Sequence, residues 1–208
     1  MAEVKHRCQL YLQLPAQCSA ALASQFTQVM TSSDVACVLL CPRESLVEAQ
    51  IGTVIDLVQG SGLACLIDGD AALAERLGAD GVHIDADAAT YAECRRRLGE
   101  SASIGAGCGF RRHDAMQLAE LGADYVAFGA DANTIDAIDQ YTDVISWWSE
   151  IFVVPCVAWN IDNAEHAATL AALGADFIAP PISIWAGEDP PRRIAEIDNA
   201  IRRSRRAA

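Results

Sequence analysis

Short apolar runs recur along the chain: QLYLQLP (9–15), VACVLLC (35–41), LACLID (63–68), GVHID (81–85), ASIGAG (102–107), YVAFG (125–129), FVVPCVAW (152–159) and FIAPP (177–181). Between them lie stretches with helical spacing, such as DAALAERLG, RRHDAMQLAELG and NAEHAATLAALG. Strands that alternate with amphipathic helices predict parallel βαβ units. Near-continuous apolar runs predict strands covered on both faces.

One phrase is written three times across a helix end and a strand start: ERLGADGVHI, AELGADYVAFG and AALGADFIAPP. Glycine after the last helical leucine can take the left-handed conformation that ends a helix. The copies introduce the fourth, sixth and eighth strands, so each interval holds two βα units. Eight units in 208 residues give about 26 residues each, a small but accepted size for a closed (β/α)8 barrel. The expected fold is therefore one TIM-barrel domain over 1–208, with an open doubly wound sheet as the competing arrangement. In a barrel each Gly-Ala-Asp forms a loop at the bottom, where Asp80, Asp124 and Asp176 cap or bridge. Chemistry belongs at the opposite, C-terminal ends of the strands.

Composition narrows the partners. The formal net charge of −13 repels nucleic-acid phosphates, and the arginine-rich IRRSRRAA reads as a complement to a helix C-terminus. No apolar run approaches a membrane span, and MAEVKHRCQLYLQLP lacks the pattern of a signal peptide. Eight cysteines without CxxC or zinc-ligand spacing read as buried free thiols. A cytoplasmic protein is expected.

At the strand ends, four acids gather after the third and fourth strands: Asp68, Asp70, Asp85 and Asp87. Clustered oxygens on neighbouring strands suit magnesium, which combines carboxylates with substrate phosphates and waters; two solvated acidic loops are the plainer alternative. After the eighth strand, PPISIWAGEDPP places Ser183 where a short extra helix and its amides would form a phosphate site. Asp189 and Pro190 open the last helix. Gly105 and Gly107 would let backbone approach a ligand closely. Basic residues at the rim are few: Arg43, Arg111 and Arg112, with Lys5 the single lysine of the chain. His83 reads as a packed residue within a strand and His113 as exposed.

LYLQLP, GADGVHI, IGAG, GADYVAFG and ISIWAGEDP resemble, in order, the thiamine phosphate synthase and thiazole tautomerase superfamily. The resemblance implies a small (β/α)8 barrel. It also implies a transferase of thiamine biosynthesis that joins hydroxymethylpyrimidine diphosphate to thiazole phosphate and releases pyrophosphate with the help of magnesium. The family's Gln-x-Arg-x-Lys corresponds to Leu39, Cys41 and Arg43, and its Asn-Asp pair to Asp68 and Gly69, followed by Asp70. Gly-Gln-x-Asp corresponds to Asp85, Ala86, Asp87 and Ala88, and the serine after strand five to Gly107. Thr-x-Thr-Lys reads Thr134, Ile135, Asp136 and Ala137; Gly-Gly reads Asn160 and Ile161; Ile-Ser is kept as Ile182 and Ser183. The resemblance thus implies Arg43, Gly105, Gly107, Thr134, Asn160, Ile182 and Ser183 for substrate and phosphate, and the four acids for magnesium. No catalytic residue is singled out. Both family lysines are missing, which predicts weak turnover. The alternative is a catalytically impaired barrel that binds a phosphorylated small molecule as a sensor or accessory protein.

Overall fold

The computed structural model describes residues 7–16, 19–42, 48–129 and 138–204. Eight parallel strands close into a barrel in sequence order: β1 Gln9–Pro15, β2 Val35–Cys41, β3 Ala64–Asp68, β4 Gly81–Asp85, β5 Ser103–Gly109, β6 Tyr125–Phe128, β7 Cys156–Trp159 and β8 Phe177–Ala179. Each is followed by a helix: α1 Ala20–Ser32, α2 Glu48–Gly60, α3 Ala71–Leu77, α4 Ala88–Leu98, α5 Arg112–Leu121, α6 Ile138–Ile151, α7 Ala164–Ala172 and α8 Pro190–Ser204. A short 3-10 helix, Ile182–Ala186, comes between β8 and α8. No helix among the described residues is long and apolar enough to cross a membrane.

Closure excludes the open sheet. It also gives the repeated Gly-Ala-Asp phrase its physical role. Gly78, Gly122 and Gly174 have φ of 70°, 98° and 104°, so each turns the chain out of its helix. The aspartate two residues later reaches back to the preceding strand. Asp80 Oδ2 accepts from the Cys65 amide at 2.7 Å, Asp124 Oδ2 from Ile104 at 2.8 Å, and Asp176 Oδ2 from Cys156 at 2.7 Å. The three aspartates thereby tie the bases of β3, β5 and β7 to β4, β6 and β8.

Strand ends depart from the apolar runs most clearly at β7 and β8. FVVPCVAW predicts a strand from residue 152, but β7 begins at Cys156. The Phe152 amide still donates to Trp148 at the end of α6, its ring stacks on Trp148 at 4.0 Å, and Val153 is 96% exposed. Those residues close a helix rather than open a strand. At the other end, β8 stops at Ala179 because Pro180 and Pro181 have no N–H to donate.

Apolar side chains divide into two cores. The larger lies between the sheet and the helices and includes Leu12, Val38, Ile67, Val126, Phe26 and Trp148. The smaller fills the barrel: Tyr11, Leu39, Leu66, Tyr125, Ala127, Val157 and Ala179, with Cys37, Cys41, Trp159 and Phe177 against them. Period-two alternation puts Tyr11 and Gln13 of β1 on the inner face, and it makes the interior a packed plug rather than a pore.

Candidate functional site

The mouth is formed by the C-terminal ends of the strands, and its floor is aromatic. Tyr11 and Tyr125 meet hydroxyl to hydroxyl at 2.7 Å, and the Tyr125 hydroxyl lies 3.0 Å from His83 Nδ1. The His83 ring stacks on Trp159 at 4.7 Å, and Trp159 also packs against Tyr11 at 5.4 Å. Burial pushes both phenols well above their usual pKa and lowers His83 to about 4. At neutral pH the floor is therefore uncharged.

The proton order in this chain follows from satisfaction. Tyr11 has Tyr125 as its hydrogen-bond partner and Tyr125 has both Tyr11 and His83. All hydroxyl protons find an acceptor only if Tyr11 donates to Tyr125 and Tyr125 donates to Nδ1. We assign the remaining imidazole proton to Nε2 on that ground. A Cβ on Gly107 would stand 3.1 Å from this Nε2. The missing side chain of Gly107 thus leaves room beside a ring N–H.

Gly105 does something else. A Cβ there would fall 1.8 Å from the Tyr125 ring, so the glycine seats Tyr125 and its free volume is already filled. Its expected role in backbone approach to a ligand is replaced by packing.

The four acids form two kinds of group. Asp70 caps α3, accepting from the Leu73 amide at 2.8 Å. Asp87 caps α4, where the Thr90 amide and hydroxyl both donate to Oδ1 at 2.7 Å and hold its pKa below the usual value. Asp68 and Asp85 end the adjacent strands β3 and β4 and have no such duty. Partial burial, and then the charge of Asp85, push the Asp68 carboxyl up. Among the described residues no group of three or more His, Cys, Asp or Glu side chains is arranged to hold a metal. Two coupled carboxylates still fit magnesium, which takes one or two protein carboxylates and completes its shell with phosphates and waters.

Beside them, the Cys41 thiol is pushed up to about 12 by burial and by Asp68, so it stays protonated. Arg111 follows β5 within electrostatic reach of Asp85, and it pairs with Asp114. Arg112 turns to the outer face, where it pairs with Asp143 at 2.7 Å and lies 4.5 Å over the Trp147 ring. Arg43 and Thr134 lie outside the described residues.

The far side of the mouth is built by β1, β7 and β8. Asn160 has φ of 60°, and its Oδ1 accepts from Gln13 Nε2 at 3.1 Å. Gln13 Nε2 also donates to the Pro180 carbonyl at 3.0 Å, while Trp185 Nε1 donates to the Gln13 carbonyl at 2.6 Å. This last bond fastens the 3-10 helix to β1. Ile182 and Ser183 begin that helix, and theirs are the first amides after two prolines.

Sequence patterns brought Asp68, Asp85, Gly107, Asn160 and Ser183 to one mouth. They did not single out Gln13, Tyr11, Tyr125 or Trp159. The available signal was a glutamine two positions after a tyrosine on the same face, in the middle of a strand whose other polar side chain, Gln9, stands at its start.

The chain matches the thiamine monophosphate synthase family over residues 11–182. It is 36% identical over 206 residues to a thiamine-phosphate synthase of Rhodospirillum centenum, covering 94% of this chain and 98% of that one. It is 34% identical over 212 residues to the thiamine-phosphate synthase of Hyphomonas neptunium, covering 96% of each. Among solved structures, the thiamine phosphate pyrophosphorylase from Pyrococcus furiosus has the same fold, with a TM-score of 0.75 at 17% identity over 97% of this chain and 99% of that one.

Proposed function

Since this chain belongs to the thiamine monophosphate synthase family, we propose that it joins hydroxymethylpyrimidine diphosphate to thiazole phosphate and releases pyrophosphate. The observation that carries the reading is the pair Asp68 and Asp85: neighbouring, electrostatically coupled, and unlike Asp70 and Asp87 not engaged as helix caps. Those two carboxylates would hold magnesium, which when bound neutralises charge on a diphosphate.

Around them each group has a task it can perform. The flat ring of a pyrimidine suits the aromatic floor beside Trp159, with His83 Nε2–H as a donor at the Gly107 gap. The Ile182 and Ser183 amides and the Ser183 hydroxyl suit the phosphate of the thiazole partner. Asn160 borders both, and Arg43 and Thr134 are assigned to phosphate by resemblance alone. In the reaction the bond from the pyrimidine methylene to diphosphate oxygen breaks, a bond to the thiazole nitrogen forms, and pyrophosphate departs. Arg111 is the mouth cation near that departing charge. A cytoplasmic setting accords with Cys65, Cys94, Cys108 and Cys156, buried thiols that form no disulfide.

The test is a pyrophosphate-release assay beside a titration with thiazole phosphate, on wild type and Ser183→Asp. Release that needs both substrates, with thiazole phosphate binding abolished by Ser183→Asp, is the expected result. No release and no binding would overturn the proposal. Two observations favour a second reading, a binder without turnover: Lys5 is the chain's single lysine, and Arg112 faces away from the mouth. Binding without release would select it.

A further inference from the structure

Gln13 is 7% exposed, and its carboxamide is held in one orientation. The Pro180 carbonyl can only accept, so the atom 3.0 Å from it must be the Gln13 nitrogen. The second N–H goes to Asn160 Oδ1. The carbonyl oxygen, Oε1, makes no hydrogen bond among the described residues. Ser33 Oγ is the one side-chain polar atom there that is both sealed from solvent and without a partner, so Oε1 is reachable from the mouth. An acceptor fixed in one orientation, with its lone pairs open to the mouth, suits a donor on a ligand.

Its surroundings describe that donor. Leu39 is its register partner on β2, and the Tyr11 ring lies two residues below on the same face with Trp159 against it. This is an apolar, aromatic wall with a single fixed acceptor. An uncharged carboxamide suits a neutral N–H rather than an ammonium. The family motif has a glutamine where this chain has Leu39; here the mouth's carboxamide stands one strand over, on β1.

We infer that Gln13 sets substrate specificity, its Oε1 accepting a hydrogen bond from the exocyclic amino group of the pyrimidine. The inference rests on the pyrimidine reading above. Because Asn160, Pro180 and Trp185 pin both the side chain and its backbone, the acceptor is already aimed before the ligand arrives.

The test uses calorimetry on the full chain with magnesium and no thiazole. Two probes are compared: 4-amino-5-hydroxymethyl-2-methylpyrimidine diphosphate, and the analogue with a methyl in place of the amine. Wild type should prefer the amine by about 10- to 100-fold, since a site built to bond a donor rejects the analogue lacking it. Gln13→Met and Gln13→Ala should reduce the preference to about twofold or less. Gln13→Glu, which keeps an acceptor oxygen at this position, should keep it. The ratio is taken within one protein, so general loosening cancels. An equal wild-type affinity for both probes, or a preference surviving in Gln13→Met, would overturn the inference and leave the pyrimidine reading intact. Wild-type binding of neither probe would overturn both. The wild-type ratio and Gln13→Glu still decide should the apolar variants fail to fold.

Discussion

The Tyr125 hydroxyl lies 3.0 Å from Nδ1 of His83, a contact that depends on the missing side chain of Gly105. Burial lowers the His83 pKa to about 4, from about 6.5 in an unfolded chain. As pH falls below about 6.5 the unfolded chain takes up a proton that the folded protein refuses. This contribution to stability is whole above that pH and is lost as pH falls toward about 4. By linkage the loss amounts to about 2 kcal/mol by about pH 5. Urea unfolding of wild type should therefore weaken between about pH 7.5 and 5 by about 2 kcal/mol more than that of His83→Gln. Equal acid sensitivity in the two proteins would show that His83 is not held neutral.

Asp124→Ala should act on stability alone. Its carboxylate accepts from the Ile104 amide at 2.8 Å and from Arg95 at 2.7 Å, at the end of the barrel opposite the mouth. Loss of the acceptor leaves a buried N–H at the base of β5, costing about 1–3 kcal/mol and lowering the melting temperature by about 2–12 °C. Ligand affinity should not change. A thermal melt run beside a thiazole phosphate titration checks both halves.

The acids should separate by role. Asp68→Asn and Asp85→Asn should remove most of the magnesium dependence of diphosphate binding and leave the melting temperature nearly unchanged or raised, since one of two coupled charges is gone. Asp70→Ala and Asp87→Ala should do the reverse, each costing about 1 kcal/mol of stability through a lost cap. Calorimetry with and without magnesium, on all four variants, gives the comparison. A magnesium effect that survives in both Asp68→Asn and Asp85→Asn would move the metal elsewhere.

The barrel was legible in the sequence because its determinants are local. Helical and strand periods alternate, and the Gly-Ala-Asp phrase marks three bottom loops. The start of β7 was not legible, since Phe152 and Val154 are apolar for the sake of α6 and the outer core, and an apolar run carries no sign of which neighbour it serves. Among the acids, adjacency followed from strand order. The division between them was also written locally, with Asp70 and Asp87 each three residues before the amide they cap, but a cap and a ligand look alike until the helix start is fixed. The aromatic floor depends on contacts such as Tyr11 with Tyr125 and Gln13 with Asn160, which exist only once the barrel closes.

The two neighbouring arginines after β5 should differ sharply. Arg111 remains within electrostatic reach of Asp85 at the mouth, whereas Arg112 is committed to Asp143 and Trp147 on the outer face. A cation near the departing diphosphate matters most where charge builds up, in the transition state, and so it affects turnover more than ground-state affinity. With the family lysines replaced, little else among the described mouth residues can do this. Arg111→Ala should lower kcat for pyrophosphate release by about tenfold or more, at 1.36 kcal/mol per factor of ten, with thiazole phosphate affinity within about twofold of wild type. Arg112→Ala removes an exposed ion pair worth about 0–1 kcal/mol and a cation over one ring, so it should shift the melting temperature slightly and kcat hardly at all. Steady-state kinetics on both variants decide the matter. Equal losses of turnover would mean that position on the rim does not govern which arginine serves the reaction. Unchanged turnover in Arg111→Ala would assign the missing positive charge to some other part of the chain.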